Sequence, residues 1–294
     1  MSQSFFLSGS ATDPAYLVAR DSPNAAPLRE EAECLWKDYR SYADTSFRAD
    51  AMHQFLQRYW EMYVAVALLG AGLELTKHGD VGPEFSFDLK GRRVWLEAVA
   101  PTAGSGRDAV PPILPGQYFT VPTERIALRF TNAFGEKRSR HNDAVAKGIV
   151  VPDDAYILAM NSRAIPHGPH SGTIPFYVQA LLPIGQLTLS IDKRTKREVD
   201  RFHAYRPFVE KVSGASVSTS VFLEPASSFC SAVLHSAVDF WNHPACIGSD
   251  FSVLHNPSAA HPIGHEVFSW CEQFRFADDA LHREEPLKSL PPSS

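Results

Sequence analysis

The chain has 294 residues, 44% hydrophobic and 11% aromatic, enough for a large packed core and too aromatic for a disordered chain. Its formal net charge of −5 lacks the strong basic excess of a dedicated nucleic-acid binder, which argues against tight non-specific binding while leaving room for a local basic patch. The four cysteines are scattered without a CxxC pair, no positively charged apolar leader opens the chain, and the longest apolar run, 63–69, is too short for a bilayer, so the expectation is a cytoplasmic protein with reduced thiols and no membrane association.

Ala32, Leu35, Trp36 and Tyr39 fall at helical spacing and predict a helix over 28–43. A second helix, over 50–70, runs into the stop signal Gly70-Ala71-Gly72. A short strand at 73–77 leads into two strands folded back at Lys90-Gly91. Residues 101–121 are rich in Pro and Gly and read as an irregular loop long enough to carry function. Pro122 suits the first turn of a helix reaching about Lys147, and 156–161 reads as a buried strand. Beyond 165 the pattern predicts strands at 176–182, 186–191, 218–223, 230–234 and 251–255, with a helix near 201–212 and strand or helix at 263–274. The Pro- and Ser-rich tail 284–294 reads as disordered. No repeat and no clean linker appears. The expectation is one mixed α/β domain over 1–294, with a core at 50–165 and a β-rich extension at 166–283.

The hairpin carries the chemistry. Centred between Lys90 and Gly91, it sets Glu84 opposite Glu97, and strand alternation puts Phe85, Phe87, Leu89, Val94, Leu96 and Ala98 on one face. Glu84, Ser86, Asp88, Arg93, Trp95, Glu97 and Val99 take the other. Opposed side chains have Cβ atoms about 4.5–5.5 Å apart, and like charges so placed repel. A divalent cation offsets that repulsion, since Mg²⁺ is held by one or two carboxylates plus water and substrate phosphates. Two alternatives stay open: a glycine bulge that slips the pairing by one residue, and an edge hairpin whose glutamates splay into water. On the preceding helix, Gln54, Gln57, Arg58 and Glu61 share one stripe, with Glu61 as its innermost charge.

Glu61 on a helix, Pro83-Glu84 opening a strand and Glu97 ending the next together resemble the PD-(D/E)XK nuclease superfamily, over roughly residues 50–165. The resemblance implies a restriction-endonuclease-like core, a central mixed sheet flanked by helices, with Mg²⁺ or Mn²⁺ and hydrolysis of phosphodiester bonds in nucleic acid. It makes Glu84 and Glu97 the metal ligands and Glu61 a third contributor. The chain departs from the pattern twice. Glu84 stands where the family has Asp, and Val99 stands where it has the lysine that positions water and stabilises transition-state charge. Some family members move that cation to a neighbouring helix. Here the helix after the hairpin offers Arg125 and Arg129, able to clamp a phosphate, while Lys137 reads as solvated surface charge.

Other signals are weaker. The pairs His167/His170 and His261/His265 lie in proline-bearing loops and match no ligand spacing. Gly104-Ser105-Gly106-Arg107 lacks the phosphate-loop spacing and reads as a flexible, substrate-facing loop, and no serine sits in a nucleophile elbow. The leading expectation is therefore a Mg²⁺-dependent phosphodiesterase or nuclease. The alternatives are an inactive binding or structural protein on the same fold, and a metal-dependent hydrolase of another substrate. Oligomeric state is not legible.

Overall fold

The computed structural model describes residues 4–78, 82–118, 120–169 and 172–287. Four helices come first: α1 (Pro14–Asp21), α2 (Ala26–Tyr39), α3 (Phe47–Ala51) and α4 (Phe55–Gly70). Strands β1 (Thr76–Lys77), β2 (Phe85–Leu89) and β3 (Arg92–Val99) follow as an antiparallel meander. Helix α5 (Thr123–Ala146) crosses over to β4 (Ala155–Asn161), which pairs parallel to β3. Next come α6 (Phe176–Leu181) and two separate hairpins, β5 (Ile184–Ile191) with β6 (Glu198–Tyr205) and β7 (Phe208–Glu210) with β8 (Ser216–Ser218). The last strands are β9 (Ala232–Ser236), β10 (Ser252–His255), β11 (Glu272–Ala277) and β12 (Ala280–Glu284).

The chain is α/β, built on a mixed eight-stranded central sheet of order β1-β2-β3-β4-β9-β10-β11-β12. Residues 232–284 thus extend the same sheet. All seven residues of β4 are buried, as expected of a central strand covered on both faces. Alternation sorts the side chains between two cores. Phe85, Val94, Leu96, Ala98, Ile157 and Ala159 pack with α1 to α4, and Trp95, Leu158 and Met160 pack with α5 and α6. Helix α4 stops where expected: Gly72 has φ +86°, and the Leu73 and Gly72 amides donate back to Leu68 and Leu69 carbonyls.

Several expected elements differ. The run 176–182 is the helix α6, not a strand. Its six residues are all buried, and an apolar run buried all round has no period to distinguish the two. The helix expected near 201–212 is instead the end of β6 and all of β7, because 198–205 pairs with β5. The strand expected at 218–223 ends at Ser218, with a 3₁₀ turn at Val221–Leu223. The segment 230–234 is displaced to Ala232–Ser236, and 263–274 divides into a 3₁₀ turn and the start of β11. Helix α1 adds to the expected elements and carries local start signals: Pro14 occupies its first turn and Asp13 accepts from the Ala15 and Tyr16 amides. Of the tail, Glu284 ends β12 and 288–294 lie outside the described residues. Among the described residues no helix is long and apolar enough to cross a membrane.

Candidate functional site

The β2–β3 register runs from Leu89↔Arg92 at the turn to Phe85↔Leu96, the pairing expected from a Lys90-Gly91 turn. Lys90 and Gly91 both have positive φ, as a two-residue hairpin turn requires. Glu84 lies one residue before β2, where the same register continued by one step sets it opposite Glu97, close enough for the two charges to interact. The Ala98 amide donates to Glu84 Oε2 at 2.9 Å, fixing that carboxylate against the end of β3. Burial pushes the Glu84 carboxyl well above its ordinary range. The Glu97 charge adds to the rise, Lys137 opposes it, and Glu61 adds again.

Glu97 is 5% exposed. Its Oε1 takes an ion pair from Lys137, and the more exposed Arg140 approaches the same oxygen at 3.7 Å. On the other side the Tyr156 hydroxyl lies 3.3 Å from Oε2, kept protonated by burial and by the two glutamates. Lys137 therefore supplies part of the positive charge that the sequence argument assigned to a metal. It comes from α5 because it falls seven residues after Phe130 and three after Phe134, in the middle of that helix's buried stripe. Lys137 is thus buried, not the solvated surface charge expected, and its register with the apolar stripe is the sequence signal for that.

Glu61 is buried on α4. It accepts from the Tyr39 hydroxyl at 2.7 Å and pairs with Arg58 at 2.8 Å, while Arg58 also reaches Asp50 at 2.9 Å. Burial raises its carboxyl against the opposing pull of Arg58 and Tyr39. One turn earlier, Gln57 donates to the Ala98 carbonyl at 3.2 Å and accepts from the Ala100 amide at 2.8 Å, holding the chain where β3 leaves the sheet. Gln57, Arg58, Glu84, Val99, Lys137 and Arg140 line a cleft of about 670 Å³. Glu97 faces an adjoining hollow of about 190 Å³, with Arg140 on the border of both.

Arg125 and Arg129 lie elsewhere. Arg129 Nε donates to the Thr102 carbonyl at 3.0 Å, and Arg125 reaches the Ala109 carbonyl at 3.4 Å. Gly104, with φ +80°, lies against the Arg129 guanidinium, and a Cβ there would come within 2.4 Å of it. Both arginines thus secure the loop after β3. Arg129 is about 12 Å from Lys137 along the helix axis at 1.5 Å per residue. His261 contacts the Pro152 carbonyl and His265 contacts Glu284, so these two do not meet, and His170 lies outside the described residues.

Among the described residues no group of three or more His, Cys, Asp or Glu side chains is placed to hold a metal ion. Two facing carboxylates are nevertheless a hard-oxygen donor pair suited to Mg²⁺ or Mn²⁺, whose other ligands are then water and substrate oxygens. Glu84 fits that use: its Oε2 has one amide donor, and nothing among the described residues bonds its Oε1. Compared with protein-family models, curated proteins and solved structures, the chain has no significant match.

Proposed function

We propose that the chain is a divalent-metal-dependent phosphodiesterase acting on nucleic acid, with a restriction-endonuclease-like core. The observation that carries this reading is the trio of half-buried Glu84 with buried Glu97 and Lys137, at the edge of a cleft flanked by Arg58 and Arg140. The element order α4, β1–β3, α5, β4 supports the core, since it matches the order that the nuclease resemblance implies.

In this reading Glu84 and Glu97 would hold Mg²⁺ or Mn²⁺, which would supply an acidified water and charge neutralisation at the leaving oxygen. Lys137 orients Glu97 and presents N–H donors toward the attacked phosphate. Arg140, its side chain 70% exposed, is free to swing onto a phosphate oxygen. Tyr156 holds the second Glu97 oxygen, so the carboxylate keeps one orientation. Gln57 fixes the β3 exit, and with it Val99, in the wall of the cleft. The reading as an inactive module rests on the lysine absent at position 99, and an ammonium on the same carboxylate from α5 weighs against it.

The test has two arms. Mn²⁺ raises the melting temperature of the wild type by mass action, and Glu97→Ala abolishes the rise. Supercoiled plasmid and single-stranded RNA are cleaved with Mn²⁺ and spared with EDTA. A thermal response identical in wild type and Glu97→Ala removes the metal site from the proposal, and absent cleavage of both substrates removes the phosphodiesterase.

A further inference from the structure

The β5–β6 hairpin forms a two-stranded sheet of its own, separate from the central sheet. Its base is rooted. Ile184 and Gly185 are buried, Arg206 donates to the Gln179 carbonyl at 3.0 Å, and α6, packed against β5, also packs against α5, the helix of Lys137. Beyond Gly185 the ribbon extends six residues to Ile191, about 20 Å at 3.3 Å per residue. Leu189, Ile191, Val199 and Phe202 are all exposed along it.

The tip is an ordered turn. Asp192 accepts from the Arg194 and Thr195 amides at 2.8 and 2.6 Å, its carbonyl accepts from the Lys196 amide at 2.8 Å, and Lys196 has φ +57°. That turn displays Lys193, Arg194, Lys196 and Arg197, all exposed and none paired with a carboxylate among the described residues. The nearby Glu198 is already taken by Arg201 at 2.9 Å. Four cations within five positions, on a chain of net charge −5, concentrate positive charge at one projecting point.

We infer that this hairpin is a docking arm for duplex nucleic acid, its tip cations seated on backbone phosphates and its apolar flanks against the groove. A two-stranded ribbon fits the major groove, about 12 Å wide. Clustered unpaired Lys and Arg match a phosphate chain, and apolar side chains beside them suit the thymine methyl groups exposed in that groove. Solvent alone gives no reason for a free-standing ribbon to expose that much apolar surface. The inference deepens the nuclease reading by naming its substrate as a duplex, and it is tested without cleavage.

The experiment is fluorescence anisotropy of a labelled 30-base-pair duplex in EDTA, over a salt series, with the full chain and with Lys193→Ser/Arg194→Ser/Lys196→Ser/Arg197→Ser. Each phosphate contact contributes a slope of about −0.9 in log K against log salt. The tip variant is expected to bind at least tenfold more weakly at 0.1 M salt, with a slope shallower by about 2–4, and to keep the wild-type Mn²⁺ thermal shift. Equal affinity and slope in the two proteins, or no duplex binding by wild type, overturns the docking arm while leaving the metal site standing. Preferential binding of wild type to phosphatidylserine vesicles also overturns it. So does a concentration-dependent dimer, seen by sedimentation, that Leu189→Lys dissociates. Loss of the Mn²⁺ response in Glu97→Ala with unchanged duplex affinity keeps the two proposals separate.

Discussion

Lys137→Met is the sharpest perturbation, because methionine keeps an apolar stem of similar length and deletes only the ammonium. Lys137 and Glu97 are each 5% exposed, so the deletion leaves a carboxylate in a dry site beside Glu84. Removing one partner of a buried ion pair costs about 3–5 kcal/mol. Arg140, already 3.7 Å from the same Glu97 oxygen and mostly exposed, swings in and recovers part of that. The expected net cost is about 2–4 kcal/mol. At about 2–4 °C per kcal/mol for chains approaching this size, the melting temperature falls by roughly 4–16 °C. Urea unfolding at pH 7 reads the change through the midpoint, with the slope unaltered. In Lys137→Met/Glu97→Gln no unpaired charge remains, so the double variant recovers at least half of the loss, a coupling of about 1 kcal/mol or more. A single variant within about 0.5 kcal/mol of wild type, or a strictly additive cycle, would refute the buried pair. On the proposed function, Lys137→Met also abolishes cleavage while keeping, or enlarging, the Mn²⁺ thermal shift, since a repelling cation has left the site.

Two further outcomes follow from the same geometry. Glu84 has a folded-state pKa raised above its unfolded value, so its contribution to stability is full below the ordinary carboxylate range and is lost as pH rises through the raised value. Stability measured by urea midpoint should therefore decline upward from about pH 4.5, the decline should flatten in Glu84→Gln, and Mn²⁺ affinity should rise with pH as Glu84 gives up its proton; an unchanged slope in Glu84→Gln counts against this. Val99→Lys is expected to cost about 1 kcal/mol or less, because Val99 is half-buried and lines the cleft, where the new ammonium meets Glu84. An insoluble Val99→Lys protein would mean that this strand face is packed core.

The first hairpin was legible from sequence because everything that defines it is local. Alternation assigns faces with a period of two, and a two-residue turn fixes the register, so Glu84 opposite Glu97 follows from fourteen consecutive residues. The stop of α4 at Gly72 and the buried β4 follow from equally local rules. That Lys137 points inward is hinted at by its register with Phe130 and Phe134, but that it reaches Glu97 is not legible in the sequence. Lys137 is forty residues away on a helix whose rotation about its axis is set by packing of Phe130 and Phe134, and that rotation alone decides that Lys137 points inward while Arg125 and Arg129 hold a loop. Beyond residue 165 the same limit applies more broadly. Whether 176–182 becomes helix or strand, and whether β9 to β12 join the first sheet, depends on which surfaces the rest of the fold leaves uncovered. Those choices are made between segments far apart in the chain, where burial and hydrogen-bond satisfaction outweigh local preference, and only the folded structure records them.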